Sequence, residues 1–320
     1  TMPNTKDERI VIVDIDEKSL AEEGRWPWPR FKMARLVDNL FDHYGAAIVG
    51  FDVVFAEPDE SSGLAVLESL ERGVLQDNAR FNRALERLRP ELHYDRLLAE
   101  ALEDRPVILG YYFNIDSGGS EALKAGVLPE PTFSEGHFRG RRIPFIEADG
   151  YGANLPVLQE AAYTSGHFNP YVDEDGLVRR VTMLYEYEGD YYESLSLAIA
   201  RTALGVSQVE PVYASEQTAG SQYAGLEWLK VGQRLIPVDE RVRTLVPYRG
   251  PKGSFPYVPA ADVLHKRVPP EQLEGTIVLV GTSAPGLLDL RSAPVQKVFP
   301  GVEIHANLVA GIIDNTIKEK

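Results

Sequence analysis

The chain has 320 residues, 44% hydrophobic and 25% charged, ordinary values for a globular protein long enough to bury a core without disulfides. It has no cysteine, which excludes a thiol nucleophile, a zinc–cysteine site and a disulfide framework. Its formal net charge of −15 repels phosphate backbones, so no nucleic-acid partner is expected, and docking on anionic lipid through a basic patch is disfavoured.

In chain order, Ile10 to Val13 is a continuous apolar run followed by Asp14-Ile15-Asp16, the pattern of a strand buried on both faces. Met33, Leu36, Val37, Leu40, Phe41 and Tyr44 recur at the spacing of one helix face. Ala46 to Phe55 is a second buried strand, with Asp52 inside it. A helix around Phe81, Leu85 and Leu88 is expected to stop near Pro90. Tyr94, Leu97, Leu98, Ala101 and Leu102 form the next helix, which Pro106 ends before a third strand, Val107-Ile108-Leu109. Ser117 to Arg142 is Gly-rich and polar and reads as a surface excursion.

The middle of the chain changes character. Leu177, Val181, Met183, Tyr185 and Tyr187 alternate at period two before the turn Glu188-Gly189-Asp190. Leu229 and Val231, the turn Gly232-Gln233, then Leu235 and Val238 predict a second hairpin. Thr276 to Val280 is a fourth buried strand, and Val302, Ala306, Val309 and Ile313 stripe a last helix. The expected fold is α/β: a three-layer core with a mostly parallel sheet flanked by helices, plus a β-rich inserted section. The core spans about 9–115 and 270–315, the insertion about 151–260, and the last strand and helix return to the first sheet, making one domain. No apolar run approaches transmembrane length and no signal peptide is visible. Both ends read as cut from a longer protein, since a strand starts at Arg9 and the last helix stops at Lys318-Glu319-Lys320.

No cofactor is expected. No G-x-G-x-x-G follows a strand, and Gly250-Pro251-Lys252-Gly253-Ser254 only resembles a phosphate loop because no helix follows it. Asp173-Glu174-Asp175-Gly176 lacks the outer ligands of a calcium loop and reads as a tight turn. The alternative catalytic reading uses Ser283, Asp289 and His305, in the order of an α/β-hydrolase triad after a strand-to-loop turn. Against it, Pro285 stands where a nucleophile elbow needs glycine, and the acid and histidine come early.

Ligands of open α/β sheets bind at the carboxyl ends of the strands. Asp14, Asp16, Asp52 and Glu57 fall there and form a candidate pocket for a cation or an amine; a metal, if any, would take Asp14, Asp16 and Asp52. The structural alternative has Asp16 capping a helix at Lys18-Ser19-Leu20 and Asp52 paired with Arg30 or Arg291. In Trp26-Pro27-Trp28-Pro29-Arg30, Trp26 and Trp28 form either a stacking platform for a ligand or a rigid plug between helix and sheet.

Five separated motifs together resemble the second type of the CHASE sensor domains. They are Ile10–Asp16 with Ser19-Leu20; Gly24–Arg30; Gly45–Phe55 with Glu57-Pro58-Asp59; Gly166-His167-Phe168-Asn169 with Asp173, Asp175-Gly176 and Val178-Arg179-Arg180; and Val280–Gly286, Asp289 and Pro300–Asn307. The resemblance runs from about residue 9 to 313. It implies an extracytoplasmic sensor with one membrane segment before it and three after it. A cytoplasmic output module would follow: an adenylate or guanylate cyclase, a diguanylate cyclase or a kinase. The expected partner is an unidentified small molecule, ion or periplasmic protein, the membrane is met only through flanking segments, and a homodimer is expected. The family offers no established ligand contact to transfer, so Glu303, His305 and Asn307 are read as fixing the last helix to the sheet. The competing functions are a serine or metal-dependent hydrolase and a structural dimerisation module.

Overall fold

A computed structural model describes residues 6–115, 123–213, 225–284 and 290–319. Six parallel strands form the main sheet: β1 (Ile10–Ile15), β2 (Ile48–Phe51), β3 (Val107–Asn114), β4 (Thr164–His167), β5 (Tyr257–Pro259) and β6 (Ile277–Thr282). Their spatial order is β5-β1-β6-β2-β3-β4, so β6 enters between β1 and β2. The far half of β3 pairs antiparallel with Gly150–Gly152. β4, β5 and this short strand belong to the main sheet although all three fall in the stretch expected to be the β-rich insertion.

The apolar runs are strands because both faces are covered. Ile10, Ile12, Ile48, Ile108, Ile277 and Leu279 enter one core, and Val11, Val13, Ile15, Val49, Val107, Leu109, Val278 and Val280 the other. That division follows from side chains alternating across a strand. The second core is closed by α1 (Glu17–Glu23), α2 (Arg30–Asp38), α3 (Tyr94–Leu102) and, before β6, α5 (Ala260–Leu264). The first is closed by α4 (Leu195–Ala203), α6 (Gly301–Asp314) and the two hairpins, Leu184–Tyr187 with Asp190–Glu193 and Leu226–Val231 with Arg234–Pro237. The three layers and the mostly parallel sheet are as the sequence pattern predicts.

Four local expectations are corrected. The stripe from Met33 to Tyr44 is one α-helix only to Asp38 and continues as a π-turn over Asn39–His43. The helix Ala79–Leu92 carries Pro90 inside its last turn; that turn is exposed, so the carbonyl the proline leaves unbonded can meet water. Within the expected surface excursion, Phe133 and Phe138 are buried and stack around Tyr191, an aromatic signal that the polar composition hides; residues 116–122 lie outside the described residues. Asp52 follows β2 rather than sitting within it. Asp173–Gly176 is a tight turn, closed by a hydrogen bond from the Gly176 N–H to the Asp173 carbonyl.

Glycine lets α4 and α6 approach the sheet. A Cβ on Gly166 would lie 2.5 Å from the Leu195 Cα, and one on Gly281 would lie 2.6 Å from the Val302 Cβ. Replacing Gly166 by Ala should lower the unfolding free energy by about 2 kcal/mol, because the obstructing atom is backbone and cannot rotate away. A shifted urea midpoint checks this, and an unchanged one would mean that β4 and α4 are not in close contact.

The N-terminal end of β1 and the C-terminal end of α6 meet. Arg9 donates to both Asp314 oxygens at 2.8 Å, and Arg249 reaches Asp314 at 2.8 Å and Asp7 at 3.1 Å. Burial works to raise the Asp7 carboxyl, but the hydrogen bonds from Arg9 overcome it and hold Asp7 low. Among the described residues no helix is long and apolar enough to cross a membrane.

Candidate functional site

The carboxyl ends of β2, β3, β4 and β6 face the first turns of α6 across a crevice of about 440 Å³. Asp52, Trp26, Tyr112, Phe168, Arg291 and His305 are among its walls. Each is placed by the element it follows. Asp52 is the first residue after β2, and its N–H donates to the Val280 carbonyl at 2.9 Å. Phe168 is the first residue after β4 and meets Tyr112 of β3 at 6.2 Å between ring centroids. Arg291 lies on the strand Leu290–Ala293, which pairs with Gln296–Pro300 and leads into α6.

His305 joins three elements. Its Nδ1 lies 2.8 Å from the Ser196 hydroxyl of α4, and its Nε2 lies 3.7 Å from Asp52 Oδ1. The Asp52 and His305 side chains are 6% and 5% exposed, so their attraction is only weakly screened. The crevice wall therefore carries a carboxylate, a guanidinium and an imidazole, beside the positive end of a 14-residue helix. Trp26, Tyr112 and Phe168 supply flat apolar surface. Such a site can orient a small polar ligand by hydrogen bonds and stack its apolar part.

The other expected ligand residues go elsewhere. Asp16 accepts from the Ser19 N–H at 2.8 Å and caps α1. Trp28 is buried and donates its indole N–H to the Gly24 carbonyl, so it is a plug, while Trp26 meets it edge-on at 5.8 Å and reaches the crevice. Glu57 is exposed, and its carbonyl accepts from Arg30. Arg30 does not pair with Asp52; it faces Asp95 at 3.6 Å and covers the Phe55 ring. Asp14 is buried against Ser283, accepting from its N–H at 2.9 Å and from its hydroxyl. Burial pushes the Asp14 carboxyl up, Asp16 adds to the rise, and Ser283 opposes it.

The metal set and the triad, both offered by the sequence only as alternatives, are not assembled among the described residues. Asp14, Asp16 and Asp52 have three different partners, and among the described residues no three His, Asp or Glu side chains are placed to hold a metal. Ser283 gives its hydroxyl to a carboxylate, whereas His305 faces Ser196 and Asp52. The serine–histidine contact of a hydrolase is thus replaced on both sides, and Asp289 lies outside the described residues.

Composition and spacing gave no hint of the setting of His167, the last residue of β4 and the one before Phe168. It is fully buried among Tyr111, Phe113 and Tyr185, and among the described residues neither ring nitrogen has a hydrogen-bond partner. Burial, with His305 adding, pushes its pKa from 6.5 down to about 3. The native state therefore resists a proton that the unfolded chain accepts. Stability from this group is complete above about pH 6.5 and is lost as pH falls toward 3, at roughly 1.4 kcal/mol per pH unit. Urea unfolding at pH 7 and pH 5 should show that loss, and His167→Phe should reduce it; equal slopes in both proteins would mean that His167 is accessible to protons in the fold.

The crevice lies beyond the carboxyl ends of the strands, where ligands of open α/β sheets bind. The family model described as CHASE2 domain matches residues 1–320, and the chain belongs to that family. CHASE2 domains are extracytoplasmic sensory domains of cyclases and kinases. No curated protein and no solved structure gives a significant match.

Proposed function

We propose that this chain is, as a single unit, the sensing part of a transmembrane signalling receptor. Its stimulus is a small polar ligand held between Asp52, Arg291 and His305 and stacked on Trp26. One observation carries the reading: α6 closes the crevice with Gly301, Ile304 and His305, and its other end, at Asp314, is tied by Arg9 to the start of β1. A ligand that favours one packing of the first turns of α6 biases the spacing of the two chain ends. Those ends would lead into membrane segments and on to a cytoplasmic cyclase or kinase. Such outputs work in pairs, which supports a homodimer.

The test is a thermal-shift and Trp-fluorescence screen of amino acids, amines, nucleosides and inorganic ions. A compound that raises the melting temperature of the wild-type chain but not of Asp52→Asn supports the site. A shift that survives Asp52→Asn moves binding elsewhere. If no compound acts and the chain only self-associates, the structural dimerisation module is the better account.

A further inference from the structure

A second concavity, of about 730 Å³, opens at the β4 edge of the sheet and shares no lining residue with the crevice. Its lining includes the buried ion pair Glu193–Arg201. Arg201 Nε donates to both Glu193 oxygens at 2.8 and 2.9 Å, and Nη2 donates at 2.6 Å and also meets the Thr164 hydroxyl at 3.5 Å. Arg201 Nη1 takes no part in these bonds. The cavity is therefore lined by a cation already neutralised that still has donors to offer.

The remaining lining selects by exclusion. Glu130 and Glu135 are exposed in the lining, and with the net charge of −15 they repel anions. The buried carboxylate is saturated by Arg201, so it makes no demand for a cation. Thr164, Gln159, Ser207 and Gln208 each carry both a donor and an acceptor; the Gln159 oxygen already accepts from the Ser165 hydroxyl at 2.8 Å and the Thr164 hydroxyl from Arg201, which leaves their donors for a ligand. Tyr163 stands in the lining, 60% exposed. The same Tyr163 also lines a neighbouring groove of about 1190 Å³ along α3, so the ring stands between two hollows.

We propose that this edge binds a neutral, hydroxyl-rich ligand of the saccharide class, longer than one ring, with Tyr163 stacked against a sugar face between two subsites. Amide and hydroxyl groups that both donate and accept suit adjacent hydroxyls, and an exposed aromatic ring suits the apolar face of a pyranose. The site is independent of the crevice and survives if the crevice ligand is never found.

Calorimetric titration with glucose, maltotriose, N-acetylglucosamine and chitotriose tests it. At least one trisaccharide should bind saturably at or below about 10 mM, and more tightly than its monosaccharide. Tyr163→Ala should weaken that binding about tenfold or more, which corresponds to about 1.4 kcal/mol, with an unchanged melting temperature because the ring is exposed. Gln208→Ala, also at an exposed position, should weaken it without affecting Asp52-dependent shifts. The proposal is overturned if none of the four sugars binds by about 10 mM, if Tyr163→Ala binds as the parent does, or if spermidine or sulfate binds there in place of sugar.

Discussion

Replacing Arg201 by Met should lower the unfolding free energy by about 3–5 kcal/mol at neutral pH, the usual cost of removing one partner from a buried ion pair. The guanidinium and carboxylate are 14% and 5% exposed, and the contacts between them are 2.6–2.9 Å. Burial works against both charges and pushes the Glu193 carboxyl up. It also works against Arg201, but the bonds to Glu193 hold the guanidinium above its ordinary range. Met keeps the length of the side chain and removes the charge, leaving Glu193 buried and unneutralised. The Glu193 value then rises further above that of the unfolded chain. Stability from a group raised in this way is complete below the unfolded value and is lost as pH rises through the native one. The deficit of Arg201→Met should therefore be small near pH 4 and grow toward pH 8. Adding Glu193→Leu should recover most of it, because an apolar pair of similar volume is often as stable as the ion pair. Denaturant unfolding of the four proteins across pH gives the full cycle. A single-variant loss below about 1 kcal/mol at pH 8 would mean that water reaches the pair freely.

Much of the framework could be read from the sequence, for a physical reason. β1, β2, the first half of β3, and β6 are buried on both faces, so each carries a continuous apolar run, Ile10–Val13 in β1 and Ile277–Val280 in β6. β4 and β5 carry no such mark. Thr164-Ser165-Gly166-His167 is a strand because β3 and the backbone at Leu195 flank it, and Tyr257-Val258-Pro259 because β1 does. α4 went unread because Leu195 to Ala200 is buried on every side, and a helix without a polar face has no stripe to detect.

The crevice was half legible. Asp52 was conspicuous because a carboxylate beside an apolar run needs a partner, and His305 because it interrupts an apolar helix. Their meeting depends on α6 crossing the end of β2, which no local pattern contains. Tyr112 and Phe168 look like ordinary core aromatics in the sequence, and only the ends of β3 and β4 turn them toward the opening. The acidic residues near β1 stay out of the crevice. Protein hydrogen bonds take them up: Asp16 accepts locally from Ser19, as its capping alternative expects, and Asp14 accepts from Ser283 at the end of the neighbouring β6, a partner no local pattern contains.

The phosphate-loop look-alike Gly250–Ser254 does hold an anion, but one that the chain supplies itself, and the last expectation rests on it. Glu303 is fully buried in the first turn of α6. Its carboxylate accepts from the Gly253 N–H at 3.0 and 3.1 Å, the Ser254 N–H at 3.0 Å and the Tyr257 hydroxyl at 2.6 Å. Burial pushes the carboxyl up, and these donors oppose the rise. Glu303→Ala strips three donors of their acceptor and opens a void, and should cost about 3–5 kcal/mol in urea or guanidinium unfolding. Glu303→Gln keeps one acceptor oxygen but turns an amide toward the donors, and should cost about 1–2 kcal/mol. Hydrogen exchange adds a readout that a general loss of stability does not mimic: the Gly253 and Ser254 amides should exchange much faster than those of β1 and β6. If Glu303→Ala unfolds with the parent, α6 is held by its apolar contacts alone. If the loss is as large as expected, Glu303 fixes α6 just before His305 meets Asp52, while Asn307, accepting from the Arg249 N–H at 2.9 Å, fixes it just after. The helix is then anchored on both sides of the crevice residue, so a ligand acting through His305 would move α6 as a rigid body, carrying Asp314 and the chain end with it.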